Sequence, residues 1–257
     1  MITLTSDFGL KDPYVAEMKG IILTINPKAT IVDITHDIEK FNIGMAAFTL
    51  ASTASFFPKG TVHLAVVDPE VGTERHPIIV QTKFGFFVGP DNGVLMLAAQ
   101  SQGIEHTYEL SNPNLMLPKI SNTFHGRDIF APAAAYVDKG TKPYRFGFEI
   151  ENPVLLRFPA VRRTNNIITG EVLYIDGFGN IITSIQEKDM LNSKMLNVKL
   201  NEVLLKPKFG RAYGEVEPKE PIVLVGSYGF IEIALNQGNA ASKFSAKVGD
   251  KITVSAA

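Results

Sequence analysis

The pattern of apolar residues changes near residue 160, and this change constrains the fold of the 257-residue chain more than any other feature. Before it, short β-branched runs alternate with segments of helical spacing, which is typical of βαβ units in a largely parallel sheet. After it, short strands follow one another closely with polar turns between them, which is typical of a small antiparallel barrel. The sequence therefore predicts an α/β fold class: an N-terminal, mostly parallel α/β sandwich domain (residues 1–158), followed by a small C-terminal antiparallel β-barrel domain (residues 166–257).

The periodicity also places individual elements in each part of the chain. In the first part it predicts strands over 2–5, 31–34 and 61–67, a hairpin of 78–82 with 86–89, and helices over 14–26, 42–56 and 130–138. In the second part it predicts six strands, over 167–175, 180–184, 196–200, 222–225, 230–234 and 251–254. Pro153, Pro159 and several arginines within residues 151–166 indicate a connector between the two domains.

Charge and composition exclude several classes of function. Lys and Arg number 25 and Asp and Glu 26, so no global positive field attracts nucleic acid or anionic membrane, and we expect neither as a partner. The absence of cysteine excludes disulfides, thiolate metal sites and a cysteine nucleophile. Apolar runs are far shorter than the roughly 20 residues of a membrane-spanning helix. The first residues have neither the basic start nor the apolar core of a secretory signal, so we expect a cytoplasmic protein.

Polar residues that directly follow predicted parallel strands are the first candidates for a ligand site, because ligands bind beyond the carboxyl ends of such strands. Residues 5–9 (TSDFG) follow the first strand. Asp7 has the chemistry to accept two hydrogen bonds from a vicinal diol such as ribose, although a turn or a helix cap is an equally open interpretation. The Asp-Phe-Gly string also occurs in protein kinases, but a Gly-rich loop and an upstream lobe are absent, which excludes that class.

Two further candidates follow the second and third strands. Asp33, His36 and Asp37 carry ligand-type side chains, but their close spacing favours a capped turn, and we predict no metal site. Asp68 and Arg75 are seven positions apart across a turn that contains Gly72, a spacing that allows a bidentate pair; a purely structural ion pair remains open.

Other polar segments lie in predicted turns. His125 stands beside a glycine in residues 122–128 (NTFHGRD), where a titrating imidazole can reach a pocket. Residues 89–93 (GPDNG) and 176–180 (DGFGN) are interpreted most simply as turns. Residues 226–234 (GSYGFIEIA) place a hydroxyl, a phenol and a carboxylate in an apolar hairpin beside glycines that allow close backbone approach, which predicts a ligand edge.

These segments resemble the S-adenosyl-L-methionine (SAM) hydroxide adenosyltransferase family, which is related to fluorinating and chlorinating SAM enzymes. The resemblance covers essentially the whole chain and rests on these segments: 5–9, 33–36, 57–62 (FPKGTV), 67–75, 89–93, 123–128, 176–180 and 226–229. It implies an α/β domain followed by a β-barrel, and a homotrimer with SAM bound between neighbouring subunits. SAM is then the substrate, and no cofactor or metal is implied.

The resemblance also implies roles for particular residues. It implies seven substrate-binding residues: Asp7 for the ribose hydroxyls, Asp176 and Ser227 for the methionine amino and carboxylate groups, Asn180 for the adenine, Tyr213 as a stacking partner for adenine, and Tyr228 and Glu232 beside them. Asp68, Arg75 and His125 match the charged catalytic triad of the family.

The implied chemistry is attack of water or hydroxide on ribose C5′, which expels L-methionine and leaves adenosine. Arg75 is then the cation that favours hydroxide, and the proton passes to Asp68 or His125, a choice that the sequence leaves open. Two alternatives remain at this stage. In a SAM-dependent halogenase a halide replaces hydroxide, but the charge of Asp68 opposes halide binding. A non-catalytic adenosine or SAM sensor would keep the pocket without turnover.

Overall fold

The computed structural model describes residues 1–156, 159–190 and 195–256. The chain divides into two compact units, Met1–Leu156 (unit 1) and Arg157–Ala257 (unit 2). Each unit contains its own β-sheet, so the architecture is mixed α/β with two sheets, in agreement with the predicted class. The predicted domain limits at residues 158 and 257 lie outside the described residues, and the limits 1–158 and 166–257 stay predictions.

Unit 1 contains a six-stranded sheet in the order β2-β1-β3-β5-β4-β6. Its elements are β1 (Ile2–Ser6), α1 (Tyr14–Ile25), β2 (Ile31–Thr35), α2 (Ile43–Ala54), β3 (Val62–Val66), β4 (Pro77–Thr82), β5 (Phe86–Pro90), α3 (Met96–Ser101), β6 (Ile104–Glu109) and α4 (Ala131–Asp138). Strands β1, β2, β3 and β5 are parallel, whereas β4 and β6 pair antiparallel. Every predicted element of this part is present; α3 and β6 were not predicted.

The central strand β3 shows why helices cover both faces of this sheet. All five of its residues are buried, and successive side chains point to opposite faces. Leu64 packs in the same cluster as Met18 of α1, whereas the adjacent Ala65 packs in the cluster that contains Leu50 of α2 and Leu95, next to α3. A strand with two buried faces explains the continuous apolar run in the sequence.

Unit 2 contains a nine-stranded sheet in the order β11-β10-β15-β8-β9-β14-β13-β12, with β7 beside β8. Its elements are β7 (Arg162–Thr164), β8 (Ile167–Ile175), β9 (Ile181–Gln186), β10 (Leu196–Leu200), β11 (Val203–Leu205), β12 (Lys208–Phe209), β13 (Pro221–Val225), β14 (Phe230–Leu235), α5 (Ala240–Phe244) and β15 (Lys251–Ala256). All pairs are antiparallel except β12 with β13. A bridge between Met195 and Lys208 joins the β12 end of the sheet to the start of β10, so the sheet curls back on itself.

The six strands predicted for this part are present. The connector predicted between the two domains needs correction. The connector predicted over 151–166 includes β7, whose three residues are exposed and pair with β8. An exposed edge strand buries no apolar face, so its sequence carries no alternating signal. Within the described residues, no helix has the length and apolar character needed to cross a membrane.

Candidate functional site

The structure brings Asp68, Arg75 and His125 together. Asp68 follows β3, Arg75 ends the turn before β4, and His125 precedes a π-helical turn (Gly126–Phe130) that leads into α4. Arg75 Nε and Nη2 donate to the two carboxylate oxygens of Asp68 at 3.0 and 2.5 Å, and Nη2 also lies 2.8 Å from His125 Nδ1. The side chains of Arg75 and Asp68 are only 4% and 5% exposed. The bidentate pair that the spacing allowed is therefore present, and it is shielded from water.

The contact with Arg75 fixes the protonation of the His125 ring. A guanidinium has only donors, so Nδ1 must accept, and the proton of the neutral ring is then on Nε2. Burial lowers the pKa of His125 and the charge of Arg75 lowers it further, against opposing effects of Asp68 and Asp128. His125 is thus a neutral imidazole that offers an N–H donor at Nε2.

The third nitrogen group of Arg75 is available for a ligand. Nη1 is buried and has no hydrogen-bond partner within the described parts of the chain. The guanidinium is held by the Asp68 fork on one side and lies 5.2 Å from the centroid of the Phe130 ring on another. A buried cationic donor without a partner is costly, so the geometry points to an oxygen or anion that Nη1 would bind.

Gly72 allows the loop that carries Arg75 to approach the loop that carries His125. Its φ is +79°, and a Cβ at this position would lie 2.1 Å from the backbone oxygen of Asn122. Any other residue would therefore push the two loops apart. The glycine in the turn is required by this contact between residues 50 positions apart in the chain.

Asp128 holds the loop that carries His125 in place through hydrogen bonds. It is fully buried, and it accepts hydrogen bonds from the Ser121 backbone N–H and from Arg127 Nε at 2.8 and 2.7 Å. Burial raises its pKa, but these hydrogen bonds outweigh that effect and hold the pKa below its ordinary value. Arg127 also pairs with Glu17 of α1, so the loop is tied to the helix layer.

Asp7 is buried at the end of β1, and only one of its carboxylate oxygens is occupied. Oδ2 accepts the Phe41 backbone N–H at 2.9 Å, and the Asp7 backbone oxygen accepts from Lys40 Nζ. Within the described chain Oδ1 has no partner. The turn-cap role that the sequence left open therefore uses Oδ2 and leaves Oδ1 for a ligand.

The polar turns after β2 and β5 form hydrogen bonds within unit 1 that stabilise its loops. Asp33 binds Lys19 Nζ at 2.6 Å and lies 3.1 Å from His36 Nε2. Buried Asp91 and Asn92, in the turn predicted over 89–93, bind the backbones of Val154 and Val67. The described residues contain no group of three or more His, Cys, Asp or Glu that could hold a metal ion.

In unit 2, Asp176 organises the turn between β8 and β9. Its Oδ1 accepts the backbone N–H groups of Phe178 and Asn180, and its Oδ2 accepts from Asn180 Nδ2, each at 2.9 Å. Gly179 in this turn has φ +84°, and a Cβ there would lie 2.1 Å from the Asn239 side chain. The predicted hairpin turn is thus present, with its acid and amide locked to each other.

Glu232 and Tyr213 form a second polar pair in this unit. Tyr213 Oη donates to Glu232 Oε1 at 2.7 Å, and Glu232 is 6% exposed. Burial raises the pKa of Glu232, and although the Tyr213 hydrogen bond opposes this, the charge of Asp176 raises it further. Burial, Glu232 and Asp176 raise the pKa of Tyr213. The sequence-predicted Asp176, Tyr213 and Glu232 therefore share one electrostatic environment.

The environment of these three residues is negative. No Lys or Arg of the described chain contributes to the pKa shifts of Glu232, Tyr213 or Tyr174. Ser227 and Tyr228 lie in the exposed β13–β14 turn beside this cluster's strands. Tyr174 was missed from the sequence, although its position two residues before Asp176 on β8 was a usable signal; burial, Asp176 and Tyr228 raise its pKa.

Comparisons with known proteins cover both units. Family models described as the SAM hydroxide adenosyltransferase N-terminal and C-terminal domains match residues 2–147 and 170–253. An (R)-S-adenosyl-L-methionine hydrolase of Salinispora arenicola is 36% identical over 259 residues, covering 99% of this chain and 97% of the relative. A fluorinase of Actinopolyspora mzabensis is 28% identical over 291 residues, covering 99% and 96%. The crystal structure of an uncharacterized conserved protein from Thermotoga maritima is 39% identical with a TM-score of 0.94, covering 99% and 100%.

Proposed function

The chain belongs to the SAM hydroxide adenosyltransferase family, and on this premise we propose that it hydrolyses S-adenosyl-L-methionine to adenosine and L-methionine. The observation that carries the proposal is the cluster of Asp68, Arg75 and His125, in which the Asp68–Arg75 pair is shielded from water and Arg75 Nη1 has no partner among the described residues. A relative that is 36% identical over 97% of its length is named an (R)-SAM hydrolase, which supports the same reaction.

The reaction needs little covalent chemistry from the protein. The oxygen of water attacks ribose C5′, the C5′–S bond breaks, its electron pair stays on the sulfur of methionine, and one proton leaves the water. The sulfonium is already an activated leaving group. The protein therefore has to exclude bulk water, align the nucleophile opposite the C5′–S bond and accept one proton.

The cluster divides these tasks among its three residues. Arg75 Nη1 donates to the attacking oxygen, and a fixed cation in a site shielded from bulk water lowers the pKa of a bound water and so favours hydroxide. His125 adds a second donor through Nε2–H. With Nδ1 already accepting from Arg75, His125 has no lone pair left for a proton. We therefore assign the proton to Asp68, whose oxygens each keep one lone pair beside the Arg75 contacts; because Asp68 binds Nε and Nη2 and not Nη1, the proton would reach it through a second water.

The substrate-binding roles are proposed from the resemblance and supported by the charges. SAM carries an ammonium and a sulfonium, and the acidic cluster of unit 2 is suited to a cation. The proposed contacts are Asp7 Oδ1 with the ribose hydroxyls, Asp176 and Ser227 with the methionine amino and carboxylate groups, Asn180 and Tyr213 with the adenine, and Tyr228 and Glu232 beside them.

The assembly is also proposed from the resemblance. The chain forms a homotrimer, SAM binds between neighbouring subunits, and each site uses two chains. We further propose the parallel sandwich and barrel domains with the limits predicted from the sequence, a cytoplasmic location, and no cofactor, metal, nucleic-acid or membrane partner. Light scattering during gel filtration tests the assembly: a mass near that of one chain, 28.1 kDa, contradicts it.

Halogenation is the competing reaction, because a fluorinase is among the full-length relatives. The attacking species would then be a halide. Asp68 is a carboxylate shielded from water on the same guanidinium that would hold the nucleophile, and its negative charge opposes a second anion there. Hydroxide fits better, because its formation delivers a proton that a carboxylate can accept.

The deciding experiment is incubation of the purified protein with SAM in halide-free, ¹⁸O-labelled water, followed by mass spectrometry. Labelled adenosine with unlabelled methionine is expected from attack at C5′. A 5′-halo product that appears only with added halide would assign the protein to the halogenating branch. Intact SAM despite measurable binding would identify a sensor.

A further inference from the structure

A cavity of about 400 Å³ in unit 1 takes no part in the proposed reaction. It lies between the end of α2, the loop before β3, the β4–β5 turn and the end of α3. Small side chains such as Ala51 and Ala54 leave the space, and Phe57 and Phe84 line it with aromatic rings. Its volume falls within the range of small-molecule sites.

The cavity lies at the opposite end of the parallel strands from the reaction centre. His63, which lines it, is the second residue of β3, whereas Asp68 follows the carboxyl end of the same strand. Five residues of extended chain span roughly 16 Å. A ligand of the cavity is therefore distinct from one bound at Arg75.

His63 contributes a buried polar group to the wall of the cavity. It is 2% exposed, Nδ1 bonds to Thr3 Oγ1 at 2.8 Å, and the ring stacks on Phe87 with centroids 4.9 Å apart. Burial lowers the pKa of His63 to about 4, so the ring is uncharged at neutral pH. No group of the described residues bonds to Nε2, which leaves one hydrogen-bonding atom of a buried ring for a ligand.

Two further residues define the chemistry of the cavity. Gln102 accepts a hydrogen bond from Thr82 Oγ1 at 3.1 Å, and its amide nitrogen has no partner among the described residues. Lys59 is the sole charged residue among the described lining, and its Nζ lies 5.8 Å from the centroid of the Phe84 ring. The cavity thus combines aromatic walls and two unused polar groups with one positive charge and no negative one.

We propose that this cavity is a second binding site, for a planar nitrogen heterocycle of the nucleobase class that is uncharged or carries an anionic substituent. The edge of such a ring presents donors and acceptors for His63 Nε2 and the Gln102 amide, which a hydrocarbon would leave unpaired. Its faces stack on aromatic side chains. Lys59 is exposed and favours an anionic substituent modestly over a cation such as the sulfonium substrate.

Methyl NMR on protein labelled with ¹³C at alanine methyl groups tests this directly, with adenine and adenosine monophosphate as probes. The Ala51 and Ala54 signals lie at the cavity and report on it independently of turnover. We expect a saturable shift with adenine and a Kd below about 1 mM. Absence of a saturable shift at these two methyl groups up to about 5 mM adenine overturns the proposal.

Matched variants identify the binding groups. Thr3→Val/His63→Phe removes both partners of a buried hydrogen bond, so that neither is left unpaired, and should raise the adenine Kd about tenfold. Thr3→Val alone should change it by less than about twofold, because Thr3 is outside the lining. If the double variant does not fold, Gln102→Leu is the second test, with a rise of about fivefold. An unchanged adenine Kd in the folded double variant contradicts the proposal. If the double variant does not fold, an unchanged adenine Kd in Gln102→Leu contradicts it.

The preference of the cavity for an anionic substituent is tested by comparing the Kd of adenosine monophosphate with that of adenine. Lys59→Gln should weaken adenosine monophosphate about threefold relative to adenine, because an exposed charge contributes modestly. Arg75→Ala should leave the adenine-induced shifts of Ala51 and Ala54 unchanged, which separates this site from the proposed active site. Loss of those shifts in Arg75→Ala would place the probe at the reaction centre and overturn the second site.

Discussion

The polar clusters of the two units are built on opposite electrostatic principles. In unit 1, the Asp68 carboxylate and the Arg75 guanidinium neutralise each other, and a neutral His125 completes the cluster. In unit 2, burial raises the pKa of Glu232 and the charge of Asp176 raises it further, and no Lys or Arg of the described residues offsets these effects. A balanced cluster can hold a reactive oxygen in place, whereas an unbalanced acidic cluster gains most from binding a cation. Under the proposed function, this difference is consistent with chemistry at the cluster of unit 1 and attraction of the positive charge of the substrate at the cluster of unit 2.

The two clusters nevertheless share one structural device. Gly72 in unit 1 and Gly179 in unit 2 both have positive φ, and at both a Cβ would lie 2.1 Å from a neighbouring segment. Each glycine therefore allows two chain segments to approach where polar side chains must meet. Variants that change one cluster at a time should therefore separate effects on kcat from effects on KM.

Arg75→Ala should have the largest effect. We expect kcat to fall by about 10³-fold and KM to change by less than about threefold, because the variant removes the cation that stabilises hydroxide and leaves unit 2 intact. Steady-state kinetics measures kcat and KM. The melting temperature of the variant is measured as well, because Asp68 loses its buried partner and the fold is expected to be less stable. Arg75→Lys should recover part of kcat. The control is Arg145→Ala, an exposed arginine of unit 1. Unchanged turnover in Arg75→Ala would remove Arg75 from the mechanism.

Gly72→Ala should lower kcat by about 10²-fold, because displacement of the Arg75 loop by an ångström misaligns the nucleophile. The matched control is Gly140→Ala, which has φ +106° but no atom within 4 Å of a Cβ. Both variants strain the backbone, and only Gly72→Ala creates a clash. Equal kinetics for the two would show that the approach to Asn122 has no part in turnover.

Asp176→Asn should raise KM by about 10-fold with kcat within about threefold, because a negative charge is lost from the acidic cluster. Asparagine Oδ1 still accepts the two backbone hydrogen bonds of the turn, whereas Asn180 Nδ2 loses its acceptor, so a melting temperature checks that the fold is retained. Asp250→Asn is the control, since Asp250 also accepts a backbone N–H in a turn of unit 2. A fall in kcat without a change in KM would contradict the division between the units.

Glu232→Gln should have the smallest effect, a rise in KM of about three- to fivefold at pH 8. In the unmodified protein, KM should rise as the pH falls through the raised pKa of Glu232, because protonation removes the negative charge that attracts the substrate. The variant should lose this component of the pH profile. Exposed Glu220→Gln is the control. Superimposable profiles for Glu232→Gln and the unmodified protein would exclude Glu232 from substrate attraction.

The elements that the sequence predicted are those that bury an apolar face. Strand β3 and helix α2 are long enough for the apolar period to be visible, and both lie close to their predicted bounds. The elements that were missed are short or polar, as in the three exposed residues of β7 and the two residues of β12. Their existence depends on a partner strand, which local sequence does not specify.

The sequence by itself determined which chemical groups are available and, through local spacing, that Asp68 and Arg75 could pair across seven residues. Only the tertiary structure decided that Arg75 also meets His125, 50 positions away, and therefore that the proton of His125 is on Nε2 and that Arg75 Nη1 has no partner among the described residues. The cavity beside His63 likewise has no local signal. Local periodicity records which faces are buried, whereas tautomers, pKa shifts and cavities depend on neighbours that are brought together only when distant segments pack.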